Sequence, residues 1–443
     1  MMVRLQGIGR IAAFAVAGTV LSAALSAAWM PNAAAVDDDH AHYTAAELAM
    51  IYRHSPLGNL PNDGTNHVAD DPRAARFGQH LFFETAFSKN GKVSCETCHQ
   101  PTLAFTDGKA IAVGVATGVR NAPTILNAAY SPWFFLDGRT DSMWSQALQP
   151  FENPLEFGGD RLQIIHAVAR DPAMRKAYDT VFGDWPWPEG DPALPAHGRP
   201  GASADGPQAR AWAALSPDQQ HQVNLVFSNL GKAIEAYERE LVGGNSPFDQ
   251  YVAALRKGDI TRENVISPAA KRGLKLFVGQ ANCELCHSGP NFSDGQFHNL
   301  GLPTLPGEAT DPGRSAGIAL IDADIFNAAG AFSDAPQGKR AQRLQYLPDA
   351  KTQLGAFKTP SLRNIDTPPY MHDGRYATLE QVLDFYSDGA DGVRDGPHVG
   401  VREKTVDLVP HLSAAQRADL IAFLKTLDDA PLPDDLTRAP PRP

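Results

Sequence analysis

The stretch Val93–Gln100, VSCETCHQ, decides the fold of this chain. It holds two cysteines three positions apart, with a histidine directly after the second. The same Cys-x-x-Cys-His pattern returns in Asn282–Ser288, NCELCHS, and the two stretches together use all four cysteines of the 443-residue chain. One explanation must therefore cover both copies of the pattern.

Four kinds of site compete for this explanation. A thioredoxin-like redox pair leaves the histidine and the duplication unexplained, and two disulfides would close rings too small to add much stability. One zinc shared by both pairs would close a far longer loop than zinc knuckles do. Covalent haem c explains every feature, because two thiols add to the haem vinyl groups and the adjacent imidazole becomes an iron ligand. We therefore predict two haem c groups, one on Cys95, Cys98 and His99 and one on Cys283, Cys286 and His287.

Residues 1–35 are predicted to be a cleaved secretory signal, so that the mature protein is periplasmic. The segment has a positively charged start, the apolar run Ile11–Ala28 and small residues at Ala33–Ala35 for cleavage. An uncleaved membrane anchor is the alternative, but the acidic stretch Asp37–Asp39 follows at once. No later stretch is apolar for long enough to cross a bilayer, so we expect no membrane span after cleavage.

The charge balance limits the possible partners. The formal net charge is −11, which argues against nucleic acid as a ligand, since nucleic acid requires a basic face. An acidic surface is compatible with a basic protein partner, and it also serves solubility alone.

Two haems predict an all-α fold of two cytochrome c-like domains. Each domain would be a small helical bundle around one covalently bound haem c, with long loops and insertions. The segments before the two motifs, ARFGQHLFF (Ala75–Phe83) and KRGLKLFV (Lys271–Val278), read alike and support a duplication. We place the N-terminal domain at residues 36–255 and the C-terminal domain at residues 256–443.

Other segments are assigned by local signals. Ser216–Val242 is predicted to be a helix with Ser216 as its N-cap, and Ser413–Leu427 is predicted to be the closing helix. Asn245–Ser267 is predicted to carry the chain between the domains, and Gly301–Gly317 is predicted to be a loop.

Longer motifs make the chain resemble the bacterial di-haem cytochrome c peroxidase family, including its MauG-like branch. The resemblance spans residues 70–430. The motifs, in order, are AFTDG (Ala104–Gly108), RNAPTILNAAY (Arg120–Tyr130), LDGRTDSMWSQALQPFENPLEFG (Leu136–Gly158), CELCHSGPNFSDGQFHNLG (Cys283–Gly301) and FKTPSLRNIDTPPYMHDG (Phe357–Gly374).

The resemblance implies that the haem on His99 reacts with hydrogen peroxide. Family members line the distal face of this haem with a glutamine, a proline and a glutamate, which match Gln146, Pro150 and Glu156. Glu156 would move a proton during cleavage of the O–O bond, and Gln146 would orient the peroxide. The alternative is that Gln146 is a helix-surface amide and Glu156 a solvated carboxylate.

The loop after the first motif departs from many family peroxidases, which rest with a distal histidine from this loop on the iron. This chain has no histidine between His99 and His166. We therefore expect a five-coordinate or water-bound first haem that needs no reductive activation. His166 could swing in as a ligand, but it falls in a helical pattern, where we predict a structural histidine.

The resemblance implies that the haem on His287 is six-coordinate and handles electrons. Classical members supply a methionine as the second ligand and MauG-like members a tyrosine. Tyr386 is the matching position, and Met371 is the competing ligand. A phenolate favours ferric iron, whereas a thioether favours ferrous iron. Tyr386 also continues the helical apolar spacing of Leu379 and Leu383, so it could be a core residue.

Two further family features concern the region between the haems. A calcium ion bound by an asparagine side chain and two backbone carbonyls would use Asn121, Thr367 and Pro369; alternatively, Asn121 only caps a turn. The tryptophan that family members place before the Asp-Gly-Arg sequence, as an electron relay, is here Leu136. Either a nearby aromatic residue such as Trp133 replaces it, or the haems communicate more slowly.

Three hypotheses for function follow. In the first, the protein is a peroxidase that takes electrons from a small cytochrome c or cupredoxin through the second haem. In the second, it is MauG-like and oxidises residues of a partner protein. In the third, it is a non-enzymatic di-haem electron carrier. Tyr386 and the missing distal histidine favour the second hypothesis, and Gln146 with Glu156 argue against the third.

Overall fold

The computed structural model describes residues 43–187, 193–201, 206–259, 263–392 and 397–441, so the predicted signal peptide lies outside the described residues. Thirteen α-helices and one short two-stranded ladder provide the regular structure of these ranges. The helices are α1 (Ala45–Arg53), α2 (Pro72–Phe82), α3 (Met143–Glu152), α4 (Arg161–Arg170), α5 (Pro172–Phe182), α6 (Pro207–Ala213), α7 (Pro217–Glu238), α8 (Pro247–Lys257), α9 (Pro268–Val278), α10 (Arg314–Ala323), α11 (Lys339–Arg343), α12 (Leu379–Gly392) and α13 (Ala414–Leu424).

The fold is helical, as expected, and its strands are minimal. β1 (Phe297–His298) and β2 (Phe357–Lys358) pair antiparallel, with Phe297 opposite Lys358. Of the helices in the described ranges, none has both the length and the apolar character that a bilayer span requires.

The predicted starts of α7 and α13 are confirmed, because each start is a capping box. The Ser216 hydroxyl accepts a hydrogen bond from the Gln219 backbone N–H, and the Ser216 N–H donates to the Gln219 side-chain oxygen. Pro217 takes the first helical position, where its missing N–H costs nothing. Ser413 and Gln416 repeat the arrangement at α13.

Helix α7 is the centre of the first core, where it packs between α2 and α3. Every residue of α7 from Val226 to Glu238 is buried. Gly78 of α2 permits the close approach, since a Cβ atom there would lie 1.8 Å from the Ala233 carbonyl oxygen. Gly231 of α7 has the same role toward α3, where a Cβ atom would lie 2.4 Å from the Trp144 carbonyl oxygen.

Helices α9 and α13 form the centre of the second core. A Cβ atom on Gly273 of α9 would lie 1.9 Å from the Asp419 carbonyl oxygen of α13. Gly78 and Gly273 stand at matching places in the two similar segments of the sequence, so the predicted duplication extends to this helix contact. Phe277 and Phe423 pack across it with ring centroids 5.2 Å apart.

The two halves exchange segments at their ends. α1 and α8 both pack into the second core, through Ile51 and through Phe248 among others. The segment predicted to carry the chain between the domains therefore contains a packed helix. At the other end, Tyr237 of the first half donates a hydrogen bond to the Leu436 carbonyl oxygen at 2.6 Å.

The prediction of a loop over Gly301–Gly317 was wrong for its last residues, because α10 begins at Arg314.

We expect Gly273→Ala to destabilise the protein by about 2 kcal/mol, because the new methyl group would force α9 and α13 apart. Gly58→Ala is the matched control, since no atom lies within 4 Å of a Cβ there. The measurement is the midpoint of unfolding in guanidinium chloride, followed by far-ultraviolet circular dichroism. Equal midpoints for the two variants would contradict this account of the helix contact.

Candidate active site

The two Cys-x-x-Cys-His stretches share one local geometry. A 3₁₀ turn begins at each first cysteine, Cys95 and Cys283. The backbone N–H of His99 donates to the Cys95 carbonyl oxygen at 3.0 Å, and that of His287 donates to the Cys283 carbonyl oxygen at 3.0 Å. The turn holds both thiols and the imidazole on one short segment, and all four cysteines are unbridged.

The imidazoles are oriented in the same way. His99 Nδ1 lies 3.0 Å from the Phe105 carbonyl oxygen, and His287 Nδ1 lies 3.0 Å from the Phe292 carbonyl oxygen. This contact needs the proton on Nδ1, which leaves the Nε2 lone pair for a metal. Burial lowers the pKa of both histidines and so favours the neutral form that ligates. The thiols and imidazoles therefore fit two covalent haems.

We call Cys95, Cys98 and His99 the first centre and Cys283, Cys286 and His287 the second centre. The second centre opens into a cavity of about 1010 Å³. Cys283, Cys286 and His287 line this cavity, and so do the predicted ligand Tyr386 and its competitor Met371. Tyr386 is half-buried on α12, whereas Leu379 and Leu383 of the same helix are packed in the second core.

A second repeat follows each centre and has the same backbone in both copies. Asp137–Arg139 and Asp373–Arg375 both read Asp-Gly-Arg. The central glycines have φ of +64° and +62°, and the aromatic or sulfur residues two positions before each aspartate, Phe135 and Met371, have φ of +61° and +71°. Isolated bridges close the two turns, Phe134 with Thr140 and Tyr370 with Tyr376.

Helices α3 and α12 start at the same distance after these turns, at Met143 and Leu379. When the alignment of the two Asp-Gly-Arg turns is continued along both helices without a gap, Pro150 of α3 is the counterpart of Tyr386 of α12. The position that presents a phenol to the second cavity is thus a proline, which has no ligand atom, in the first copy.

The three predicted distal residues lie on and just after α3. The helix buries an apolar face that includes Trp144 and Phe151, while Gln146 and Pro150 are half-buried on another face, one turn apart. Glu156 follows in a tight turn, where Asn153 Nδ2 donates to its Oε1 at 2.5 Å.

Glu156 lies in a largely desolvated place beside the first haem-binding stretch. Burial raises the pKa of the carboxyl, and the Arg139 guanidinium and the Asn153 amide act against this rise. Burial also raises the pKa of the Cys95 and Cys98 thiols, and the Glu156 charge adds to the rise at both. The Glu156 charge therefore acts on both thiols of the first Cys-x-x-Cys-His stretch.

The loop that lacks a histidine is bound to the Glu156 turn through its backbone. Val115 N–H donates to the Glu156 carbonyl oxygen at 2.8 Å, and Ala116 N–H donates to that of Leu155 at 3.0 Å. A Cβ on Gly114 would lie 2.4 Å from the Glu156 carbonyl oxygen, so only glycine fits there. His166 is buried in α4 with Nε2 3.1 Å from the Pro195 carbonyl oxygen, which agrees with the structural role predicted for it.

The predicted calcium ligands Asn121, Thr367 and Pro369 all line the cavity of the second centre. The Asn121 backbone N–H donates to the His372 carbonyl oxygen at 2.9 Å, and its Nδ2 donates to the Lys109 carbonyl oxygen at 2.7 Å. These contacts leave the side-chain oxygen of Asn121 as a donor for a cation.

Leu136, the residue in place of a relay tryptophan, also lines the cavity, and its carbonyl oxygen accepts a hydrogen bond from the Lys358 N–H at 2.8 Å. Trp133 is buried nearby. The guanidinium carbons of Arg314 and Arg343 lie 4.6 Å and 5.5 Å from its ring centroid. Two adjacent cations disfavour a further positive charge on the indole.

Sequence reasoning missed an ion-pair network that joins the first Asp-Gly-Arg turn to the cavity. Arg120 binds Asp137 at 2.5 Å and forms two hydrogen bonds of 2.8 Å with Asp311. Arg139 binds the same Asp137 at 3.1 Å. The repeated Asp-Gly-Arg sequence was the available signal.

Comparison with known proteins gives the family. Residues 72–257 match the family model described as di-haem cytochrome c peroxidase. The chain is 30% identical over 412 residues to the methylamine utilization protein MauG of Methylorubrum extorquens, covering 92% of each. It is 32% identical to the cytochrome-c peroxidase IdrP1 of Denitromonas iodatirespirans, covering 88% of this chain and 93% of that protein.

A solved structure agrees. A MauG-like protein associated with microbial copper homeostasis superposes with a TM-score of 0.58 at 26% identity, covering 87% of this chain and 97% of that one. The sequence likeness extends over nearly the whole length of each relative, so it includes both Cys-x-x-Cys-His stretches. The chain belongs to the di-haem cytochrome c peroxidase family, and it is a peroxide-reactive oxidoreductase with two haem c groups.

Proposed function

We propose that hydrogen peroxide reacts at the haem attached to Cys95 and Cys98, and that oxidising equivalents pass through the haem attached to Cys283 and Cys286. The observation that carries this assignment is the different residue at one repeated position. Pro150 cannot ligate iron and leaves the first centre open, whereas its counterpart Tyr386 can close the second. Residues 36–255 and 256–443 would form the two haem domains, with α1 and α8 packed into the second core.

The residues of the first half divide the work at the open centre. Bound haem supplies the iron-centred reduction of peroxide. The Gln146 amide orients the peroxide by hydrogen bonding, and Pro150 keeps the face free of a ligand. Glu156 takes a proton from the peroxide oxygen nearer the iron and returns it to the departing oxygen, which leaves as water. Burial raises the pKa of the Glu156 carboxyl above its ordinary value, which suits this exchange because a stronger base takes up the proton more readily.

The first centre would be ready without prior reduction. Its loop has no histidine, and two backbone hydrogen bonds to Leu155 and Glu156 fix the loop in place. No ligand then has to leave, and no loop has to move, before peroxide binds.

The second centre would take Tyr386 as its further ligand, with Met371 as the alternative. The predicted calcium ion would be held by the Asn121 side-chain oxygen and by the Thr367 and Pro369 carbonyls. Oxygen donors of this kind are the ligands calcium prefers.

The mature protein would work in the periplasm after removal of residues 1–35, with a small cytochrome c or cupredoxin as electron donor. A second candidate function is the oxidation of residues on a partner protein, as the MauG-like branch implies. Tyr386 beside the second centre and the missing distal histidine favour it. The electron-carrier hypothesis is set aside, because the relatives include named peroxidases.

We expect the diferric protein to react with one equivalent of peroxide without any reductant, seen as a fast Soret change in stopped-flow absorbance. A change that persists favours oxidation of a partner protein, whereas rapid reversal by reduced small cytochrome c favours the peroxidase. A protein that is silent until one haem is reduced would contradict the open first centre.

We expect Glu156→Gln to slow this reaction by roughly 100-fold, because the amide cannot carry the proton. Glu240→Gln, at an exposed carboxylate, is the control and should react like the unaltered protein. The rate constant is taken from the same Soret change. A Glu156→Gln variant as fast as the control would remove Glu156 from the mechanism.

We expect Tyr386→Phe to open the second centre, because phenylalanine has no ligand atom. The variant should bind a second cyanide per molecule, and its electron paramagnetic resonance spectrum should lose the signal of the six-coordinate haem. Met371→Leu is the matched control and should leave both observations unchanged. The reverse outcome would assign the ligand to Met371.

A further inference from the structure

Lys358 connects the wall of the cavity to the first half of the chain. It stands opposite Phe297 in the two-stranded ladder, and its backbone N–H donates to the Leu136 carbonyl oxygen at 2.8 Å. Its side-chain nitrogen Nζ donates to Ser131 Oγ at 2.9 Å. Both acceptors belong to the first half, whereas Lys358 lines the same cavity as the second centre. The lysine therefore lies where this cavity meets the first half.

The hydrogen bonds of the Lys358 ammonium are incomplete. A lysine ammonium has three N–H donors, and the Ser131 hydroxyl accepts from one of them. The Ser131 hydroxyl donates its own proton to the Trp133 carbonyl oxygen at 2.7 Å. Within the described part of the chain, no other acceptor lies within hydrogen-bond distance of Nζ. Two N–H groups are therefore left for a molecule that occupies the cavity.

The charge of Lys358 is also uncompensated, which distinguishes it from the arginines of the same cavity. Each of those arginines is ion-paired with an aspartate, whereas no described carboxylate lies within ion-pair distance of Lys358 Nζ. Burial lowers the pKa of the Lys358 ammonium to about 8, and no acidic side chain acts against this effect. The arginine pairs are Arg120 with Asp311, Arg363 with Asp249 and Arg375 with Asp373.

The haem of the second centre would bring the missing anion. Haem c carries two propionate carboxylates, at the edge of the macrocycle away from the vinyl groups that the cysteines bond. A carboxylate accepts strong, charge-assisted hydrogen bonds from an ammonium and compensates its charge. A water molecule would accept the free N–H groups but would leave a buried cation without an anion, which is costly. A propionate therefore satisfies both requirements of Lys358.

We propose that Lys358 is a haem-binding residue of the second centre, whose ammonium donates to a propionate of the haem on Cys283 and Cys286. Ser131 holds the ammonium in place from the first half. A cation at this position offsets negative charge near the iron, so Lys358 favours ferrous iron and raises the reduction potential of the second haem. This inference goes beyond the proposed reaction with peroxide, because it requires only the second haem.

The test is a spectroelectrochemical titration of the haem-loaded protein, which gives a midpoint potential for each haem. Electron paramagnetic resonance of samples taken during the titration assigns each step to one haem. Lys358→Met keeps an unbranched side chain and removes its charge. At a fixed potential, we expect this variant to shift the ferrous-to-ferric ratio of the second haem by about tenfold toward ferric iron, which is about 59 mV for one electron. The first haem should keep its potential.

Three control variants separate the charge of Lys358 from its packing. Lys358→Arg keeps the positive charge and should keep the potential of the second haem. Ser131→Ala removes the protein acceptor but leaves the ammonium, so it should also keep this potential. Lys351→Met removes the charge of an exposed lysine in the same half and should change neither haem.

Several outcomes would overturn the inference. Unchanged potentials in Lys358→Met would do so, and so would a shift of the first haem alone. An equal shift in Ser131→Ala would assign the effect to the contact between the halves instead of to the charge.

Haem content, measured as the pyridine haemochrome, covers variants that lose the second haem. Lys358→Gln is the second neutral variant. Loss of the second haem from both neutral variants, with retention in Lys358→Arg, would support the inference, because the charge would then be what holds the haem. Loss from Lys358→Arg as well would overturn it.

Discussion

The hydrogen bond from each proximal imidazole to a phenylalanine carbonyl is the contact on which both halves depend. It sets the tautomer that leaves Nε2 for iron, and it requires Phe105 and Phe292 to adopt φ of +58° and +48°. Non-glycine residues in this region carry strain of about 1–3 kcal/mol and persist only where surrounding contacts hold them. The packing of the loops after each motif has to supply those contacts.

In the second half, this requirement explains why distant segments gather around one loop. The buried Arg363 donates to the Pro290 carbonyl oxygen at 2.7 Å and forms a two-pronged ion pair with Asp249 of α8 at 2.8 and 3.0 Å. His54, at the end of α1, reaches the Gly289 carbonyl oxygen at 2.8 Å and stacks on Phe292. Removing one partner of such a buried pair typically costs about 3–5 kcal/mol. The crossing of α1 and α8 into the second core thus supports the haem loop.

How much of the fold and of the candidate site could be predicted depends on how far apart in the sequence the interacting residues lie. The cysteine motifs, the starts of α7 and α13 and the similar segments of α2 and α9 are local patterns, and they were predicted correctly. Arg120 and Asp311 are 191 residues apart, and no periodicity relates them. The predicted distal residues Gln146 and Pro150 lie on one short helix and Glu156 lies in the turn after it. Periodicity cannot distinguish such positions from ordinary surface, so only the family resemblance indicated them. The contact of Gly114 with Glu156 could not be predicted either, because a single glycine in a loop does not reveal which part of the backbone it packs against.

One backbone frame, used twice, produces two different centres because side chains at matched positions differ. Pro150, which has no ligand atom, is the counterpart of Tyr386, and Leu136, which lines the cavity, is the counterpart of His372. With leucine there, no aromatic ring stands directly before the Asp-Gly-Arg sequence, and the cations beside Trp133 oppose an electron hole on it. What joins the two copies at this point is the backbone hydrogen bond from Lys358 to the Leu136 carbonyl oxygen. A saturated, hydrogen-bonded link conducts electrons less well than an aromatic ring, so we expect slower electron exchange between the two centres than a tryptophan at position 136 would give.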